Sequence, residues 1–148
     1  EWGKPVKYQL INDAGYPKYA SVMSVKPATI TKYANCLTAL VPVLQQATLD
    51  YYAAPNATNE LVLELVETYD TGWVYSQGVA DYSVATQLSD GIAANGPDST
   101  VGNLDEARMQ QLFDIVVPIY TAAGLPVLDG LRVENIYTNQ FIDPSIGF

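Results

Sequence analysis

The residues of this sequence whose types and spacing could do chemistry are aromatic side chains on turns, set beside small polar ones. Tyr16 and Tyr19 flank Pro17 in a turn-rich stretch that also carries Asn12 and Asp13. Trp73 and Tyr75 flank Val74 directly after Asp70-Thr71-Gly72. The chemistry open to such groups is recognition. Rings offer apolar faces to a planar solute, and Asn and Asp side chains hydrogen-bond to its edges. The candidate ligand-binding residues are therefore Asn12, Asp13, Tyr16, Tyr19, Trp73 and Tyr75. The competing reading makes the same rings lids that pack the helices.

Bond-making chemistry finds little support. The chain has no His, which excludes His general bases, His-based triads and His metal sites. A single cysteine, Cys36, excludes an internal disulfide and a Cys-rich zinc site, and is expected to act as a small buried hydrophobe. Gly72, Gly78 and Gly91 lack the spacing and the Lys-Ser/Thr partner of a phosphate loop. The carboxylate pairs Asp105/Glu106 and Glu64/Glu67 fall where helix caps or solvated faces are expected. No catalytic residue, metal or cofactor is expected, and the chain reads as a non-enzyme. Seven Lys and Arg against sixteen Asp and Glu give a formal charge of −9, which leaves no basic face for nucleic acid.

The elements that must position these residues follow from the patterning. The chain has 148 residues, 49% hydrophobic and 16% charged, which fits one folded domain and excludes disorder. No run reaches the length of a membrane span. Val6–Ile11 alternates and reads as a strand, which Asn12–Pro17 stops; Tyr19–Val25 reads as a second strand ending at Pro27. The pattern then turns helical. A short turn is expected at Thr29–Tyr33. A helix should follow over Asn35–Ala54, with Leu37, Leu40, Val41, Leu44, Ala47 and Tyr51 inward and Pro42 as a kink or true first turn.

Asn56, which also opens the sequon Asn56-Ala57-Thr58, is expected to cap a helix over Ala57–Tyr69. Its inner face would carry Leu61 and Leu65, with Glu60, Glu64 and Glu67 as a solvated stripe. A further helix is expected over about Gly78–Ala93. The last long one should start at Asn103-Leu104-Asp105-Glu106 and reach Ala123, with Gly124 as its terminal cap and Pro118 as a kink. A short helical piece is expected at Val133–Tyr137. The fold class is α/β and helix-rich: two N-terminal strands followed by four to five helices. Two strands do not make a stable sheet by themselves, so they look like part of a sheet whose other strands lie elsewhere.

The stretch Tyr8–Val25, with Leu40–Ala47, Asp50–Pro55 and Asn139–Gly147, resembles solute-binding proteins of ABC transporters. The branch is the one related to nitrate, sulfonate, taurine and thiamine-pyrimidine-precursor binders, with a type II periplasmic-binding-protein fold. What the resemblance implies is the C-terminal half of a two-lobe, hinge-bending protein. Residues 1–18 would be the strand and crossover segment of the second lobe. Residues 19–148 would be a strand plus the helical C-terminal part of the first lobe. Asn12–Tyr19 would lie at the hinge and cleft edge.

The implied partners are a small organic solute, pyrimidine- or sulfonate-like, the missing N-terminal lobe and an ABC transporter permease. The implied location is extracytoplasmic: periplasmic, or a lipoprotein at the cell surface. The opening Glu1-Trp2-Gly3-Lys4-Pro5 is neither a leader nor a start methionine, so a processing boundary upstream is expected. Enzymes of the same architecture rely on His and metal-site residues that this chain lacks. The alternative is a truncated, non-binding lobe that self-associates as a homodimer through an exposed edge and an uncovered apolar face.

Overall fold

The computed structural model describes Lys4 and residues 7–148. Among the described residues five α-helices follow in order: α1 (Pro27–Lys32), α2 (Ala34–Ala53), α3 (Asn56–Tyr69), α4 (Gln77–Ser89) and α5 (Glu106–Ala122). A 3-10 turn follows at Val133–Asn135. The helix-rich part of the expected fold class is thus present.

The two expected strands are not. Among the described residues no β-ladder forms. Lys7–Leu10 runs directly into a turn in which Ala14 N donates to Leu10 O, Gly15 N to Asn12 O and Tyr16 N to Ile11 O. Val6 lies outside the described residues. In the second segment Ser21 adopts a left-handed backbone (φ 56), which an extended ladder does not accommodate. Alternation marks a chain that can pair, but pairing needs a neighbouring strand, and neither segment has one. Pro27 does not end a strand; it begins α1, where its missing N–H costs nothing.

The helix boundaries follow the sequence closely, and their caps less so. The N-cap of α3 is Pro55, with no side-chain bond, so Asn56 is the first helical residue and not the cap. The cap of α5 is Asp105, whose Oδ1 accepts from Arg108 N at 2.8 Å, two residues later than expected. Helix α4 stops at Ser89, short of Ala93. At the far end of α5 Gly124 takes the left-handed conformation (φ 67) that closes a helix, as expected. Pro42 and Pro118 both sit inside helices that continue through them.

The chain divides into two compact units. One holds residues up to Thr29 together with Leu104–Asn139; the other holds Ile30–Asn103 and Gln140–Phe148. In the first unit α5 packs on the 3-10 turn, and Met109 and Pro17 are buried apolar residues of that unit. In the second unit α3 packs on α4, and Leu37, Ala80, Val84 and Val101 are buried beside three polar side chains, Gln45, Asn59 and Thr100. Gln45 is the hub. Its Nε2 donates to Val101 O (2.7 Å) and Asp143 O (3.1 Å), and its Oε1 accepts from Asp143 N (2.9 Å). These bonds tie the loop before α5 and the C-terminal segment onto α2.

The segment 140–148 makes further bonds. Val101 N donates to Ile146 O, Thr100 Oγ1 to Pro144 O, and Phe148 packs its ring on Tyr52. Asp143 also accepts from Ser145 N (2.9 Å) and Ser145 Oγ (2.6 Å), and these two bonds hold its carboxyl below the usual range. A depressed carboxyl pKa contributes stability above its unfolded value, and the contribution is lost as pH falls through the folded value. The Asp143 turn should therefore persist until the pH is below the ordinary carboxylate range. NMR titration of the Asp143 carboxyl should give a pKa below that of an Asp in an unfolded peptide; an ordinary value would contradict this geometry.

Several expected core positions are exposed. Leu40 and Leu44 of α2 and Leu61 and Leu65 of α3 face solvent, and so does Cys36. Two separate compact units of roughly 65 and 83 residues would together expose about 8,900 Å². The chain exposes 10,958 Å². The excess is larger than the roughly 800 Å² that one partner contributes to an ordinary protein interface. Apolar side chains contribute to it: Val43, Tyr69, Val74 and Leu128 are all more than half exposed.

Candidate functional site

Trp73 and Tyr75 belong to the second unit, on the loop between α3 and α4. Asp70 closes α3 in a left-handed conformation (φ 40), its N–H donating to Val66 O. Ser76 opens α4, its Oγ accepting from Val79 N at 3.3 Å. Caps thus fix both ends of the five-residue span that carries the rings. Trp73 stacks on Tyr75 with ring centroids 5.5 Å apart and planes 27° from parallel. Trp73 is 62% exposed, while Tyr75 is half-buried. The pair is therefore a shelf with one free indole face, and the reading of Trp73 as a packing lid does not hold.

Behind the shelf the aromatic surface continues. The Tyr51 phenol lies in the field of Tyr75 and Tyr52, and burial first, then those two neighbours, raises its pKa. Tyr51 and Tyr52 meet edge to face at 5.1 Å. The Tyr51 hydroxyl donates to Asn59 Oδ1 at 3.0 Å, and the Tyr52 hydroxyl donates to Gln87 Oε1. Burial also raises the pKa of Tyr52. Asn59 is 2% exposed, and its Nδ2 has no hydrogen-bond partner among the described residues. A buried amide donor left unpaired is costly, so this end of the aromatic run is a place where an acceptor would be welcome.

Asn12, Asp13, Tyr16 and Tyr19 belong to the first unit. Asn12 and Asp13 lie on the exposed turn, joined by a long 3.5 Å contact from Asn12 Nδ2 to Asp13 Oδ1. Tyr16 is exposed at its end. Tyr19 is occupied. Its hydroxyl accepts from Asp105 N at 2.8 Å, and its ring lies 4.0 Å from the Arg108 guanidinium carbon. Arg108 also donates through Nε to Pro17 O (2.6 Å) and through Nη2 to Lys18 O (2.8 Å). Tyr137 sits near the same helix start. Burial and the carboxylates Glu106, Asp105 and Glu134, with Tyr19, push its pKa up.

Arg108 is the residue that sequence reasoning misses. It stands about ninety residues from the segment it holds, and no local pattern links the two. Gln45 and Asn59 are missed because a polar residue on a helix reads as a solvated one.

The acidic stripe Glu60, Glu64 and Glu67 is solvated, as its spacing suggests. Among the described residues no group of three His, Cys, Asp or Glu side chains is placed to hold a metal ion. No helix is long and apolar enough to cross a membrane among those residues. No family model, curated relative or solved structure matches the chain.

Proposed function

We propose that this chain is the C-terminal part of the solute-binding component of an ABC importer. It recognises a small organic solute, pyrimidine- or sulfonate-like, outside the cytoplasm and delivers it to a transporter permease. It makes and breaks no bonds. Closure over the solute uses contacts formed only in the closed state, and their free energy shifts the open–closed equilibrium.

The observation that carries this reading is the Trp73–Tyr75 shelf. An exposed indole stacked on a second ring between two capped helices offers contact area at little cost in side-chain entropy, which suits stacking on a planar solute. The exposed apolar faces of α2, α3 and α5 support the second half of the proposal, because a companion lobe would cover such faces. The resemblance of Tyr8–Val25 and Asn139–Gly147 to that family points the same way.

The test is isothermal calorimetry with pyrimidine and sulfonate solutes on the chain joined to its upstream lobe, and on the chain alone. The joined protein should bind in the micromolar range and the chain alone far more weakly. Trp73→Ala in the joined protein should weaken binding by about tenfold, the scale of one lost stacking contact. Micromolar binding by the chain alone would sink the two-lobe reading. An unchanged affinity in Trp73→Ala would remove the shelf from the site.

A further inference from the structure

Asn95-Gly96 is the one Asn-Gly step in the chain. An asparagine followed by glycine is the sequence most prone to intramolecular loss of the side-chain amide, because no Cβ hinders the attacking backbone nitrogen. Here the amide is held. Asn95 Nδ2 donates to Phe148 O at 3.0 Å, and Asn95 Oδ1 accepts from Phe148 N at 2.8 Å. Both polar atoms of the side chain are thus engaged by one residue of the C-terminal segment. The Gly96 N–H, in contrast, has no hydrogen-bond partner among the described residues. Asn95 is half-buried.

The segment lies flush on this site. A Cβ built at Gly147 would strike the Ser99 carbonyl oxygen and come within 2.9 Å of Asn95 Oδ1. Only glycine fits there. The docking of 140–148 and the restraint on Asn95 are therefore one arrangement.

We propose that Asn95 is a deamidation site gated by the docked C-terminal segment. While Phe148 holds the amide in place, Cγ of Asn95 is kept from the Gly96 nitrogen. When the segment lifts, the deprotonated Gly96 nitrogen attacks Cγ. The Cγ–Nδ2 bond breaks, ammonia leaves, and a five-membered succinimide forms. Water then opens the ring at either carbonyl to give Asp or isoaspartate at position 95. One water is consumed and one ammonia released, with no change in oxidation state. The product has a carboxylate where the amide donated to Phe148 O, so the segment cannot redock with the same pair of bonds. The step is one-way, and it records that the segment has been released.

Peptide mass spectrometry of the full chain, incubated at mildly alkaline pH with graded urea, tests the proposal. Native Asn95 should deamidate at least about tenfold more slowly than in fully unfolding urea, the ratio that two ordinary hydrogen bonds would hold. The rate should begin to rise at urea concentrations below the global transition, because release of the segment is a local opening. Gly147→Ala should deamidate faster than the native chain in the absence of urea. Adding Gly96→Ala should slow that reaction again, since a Cβ at Gly96 meets nothing closer than Asn103 Oδ1 at 3.7 Å and hinders only the ring closure. Equal rates in the native and unfolded chain would overturn the proposal. So would a native rate that rises only with global unfolding.

Discussion

Replacing Gln45 by Ala should lower the stability of the unit built on α2, α3 and α4 by about 3 kcal/mol, since three backbone groups lose their partner and each unpaired buried group costs on the order of 1–3 kcal/mol. The groups are Val101 O, Asp143 O and Asp143 N. Gln45 is buried, so the partners it leaves cannot simply turn to bulk water. Gln45→Glu sharpens the test. The carboxylate keeps an acceptor for Asp143 N but faces Val101 O and Asp143 O without an N–H to give. It should be at least as damaging as Ala at neutral pH, and it should recover in part on acidification, when the acid form can donate once. Urea denaturation followed by circular dichroism reads both effects. A midpoint for Gln45→Ala that matches the parent chain would show that the segment 140–148 is held by its other bonds, and the hub assignment would fail. The same variant should speed Asn95 deamidation, because Asp143 and Phe148 belong to one docked segment.

The places where the sequence was legible share a physical cause. Helix spans were readable because their signals are local. Apolar periodicity, a Gly after α5 and breaks at Pro55 and Asp70 act within a few residues, and each helix falls close to its expected limits. The exposed turn at Asn12–Gly15 was readable for the same reason. The strands were not, because alternation reports the capacity to pair and says nothing about whether a neighbour exists. The faces of the helices were misread for a related reason. Periodicity marks Leu40, Leu44, Leu61 and Leu65 as a buried surface, yet they are exposed, while Gln45 and Asn59 on the same helices are buried. An apolar stripe shows that a helix has something to cover, and the covering surface can belong to another polypeptide segment. For the candidate site, residue type found the Trp73–Tyr75 pair because ring content on a loop is visible in one dimension. It placed Tyr19 among ligand contacts, whereas that side chain is spent on Asp105 and Arg108.

Removing the Arg108 side chain should release residues 17–19 from the start of α5 and cost about 2 kcal/mol, the scale of charge-assisted hydrogen bonds that are partly exposed. The cap of α5 gives the control. Asp105 Oδ1 accepts from the backbone N–H of Arg108, so Arg108→Ala leaves that bond available while deleting the donors to Pro17 O and Lys18 O. Hydrogen exchange should therefore quicken at Asp105 N–H, which depends on the Tyr19 hydroxyl, and stay slow at residue 108. Arg108→Lys should recover little. An ammonium is a point donor on a flexible stem, and it cannot bond two successive carbonyls while lying flat on the Tyr19 ring. Tyr19→Phe separates the components, for it keeps the ring under the guanidinium and removes only the acceptor for Asp105 N–H. Because the Arg108 guanidinium lies on the Tyr19 ring, Arg108→Ala combined with Tyr19→Ala should cost less than the two single losses combined. Strict additivity would mean that the stacked geometry contributes nothing and that the segment is held by its carbonyl bonds alone. If Asn12, Asp13 and Tyr16 read a solute, they do so from a turn whose following residues are fixed by this one guanidinium. Arg108→Lys in the joined protein should then weaken solute binding through loss of position, and an affinity unchanged by Arg108→Lys would show that the Asn12–Tyr16 turn does not contact the solute.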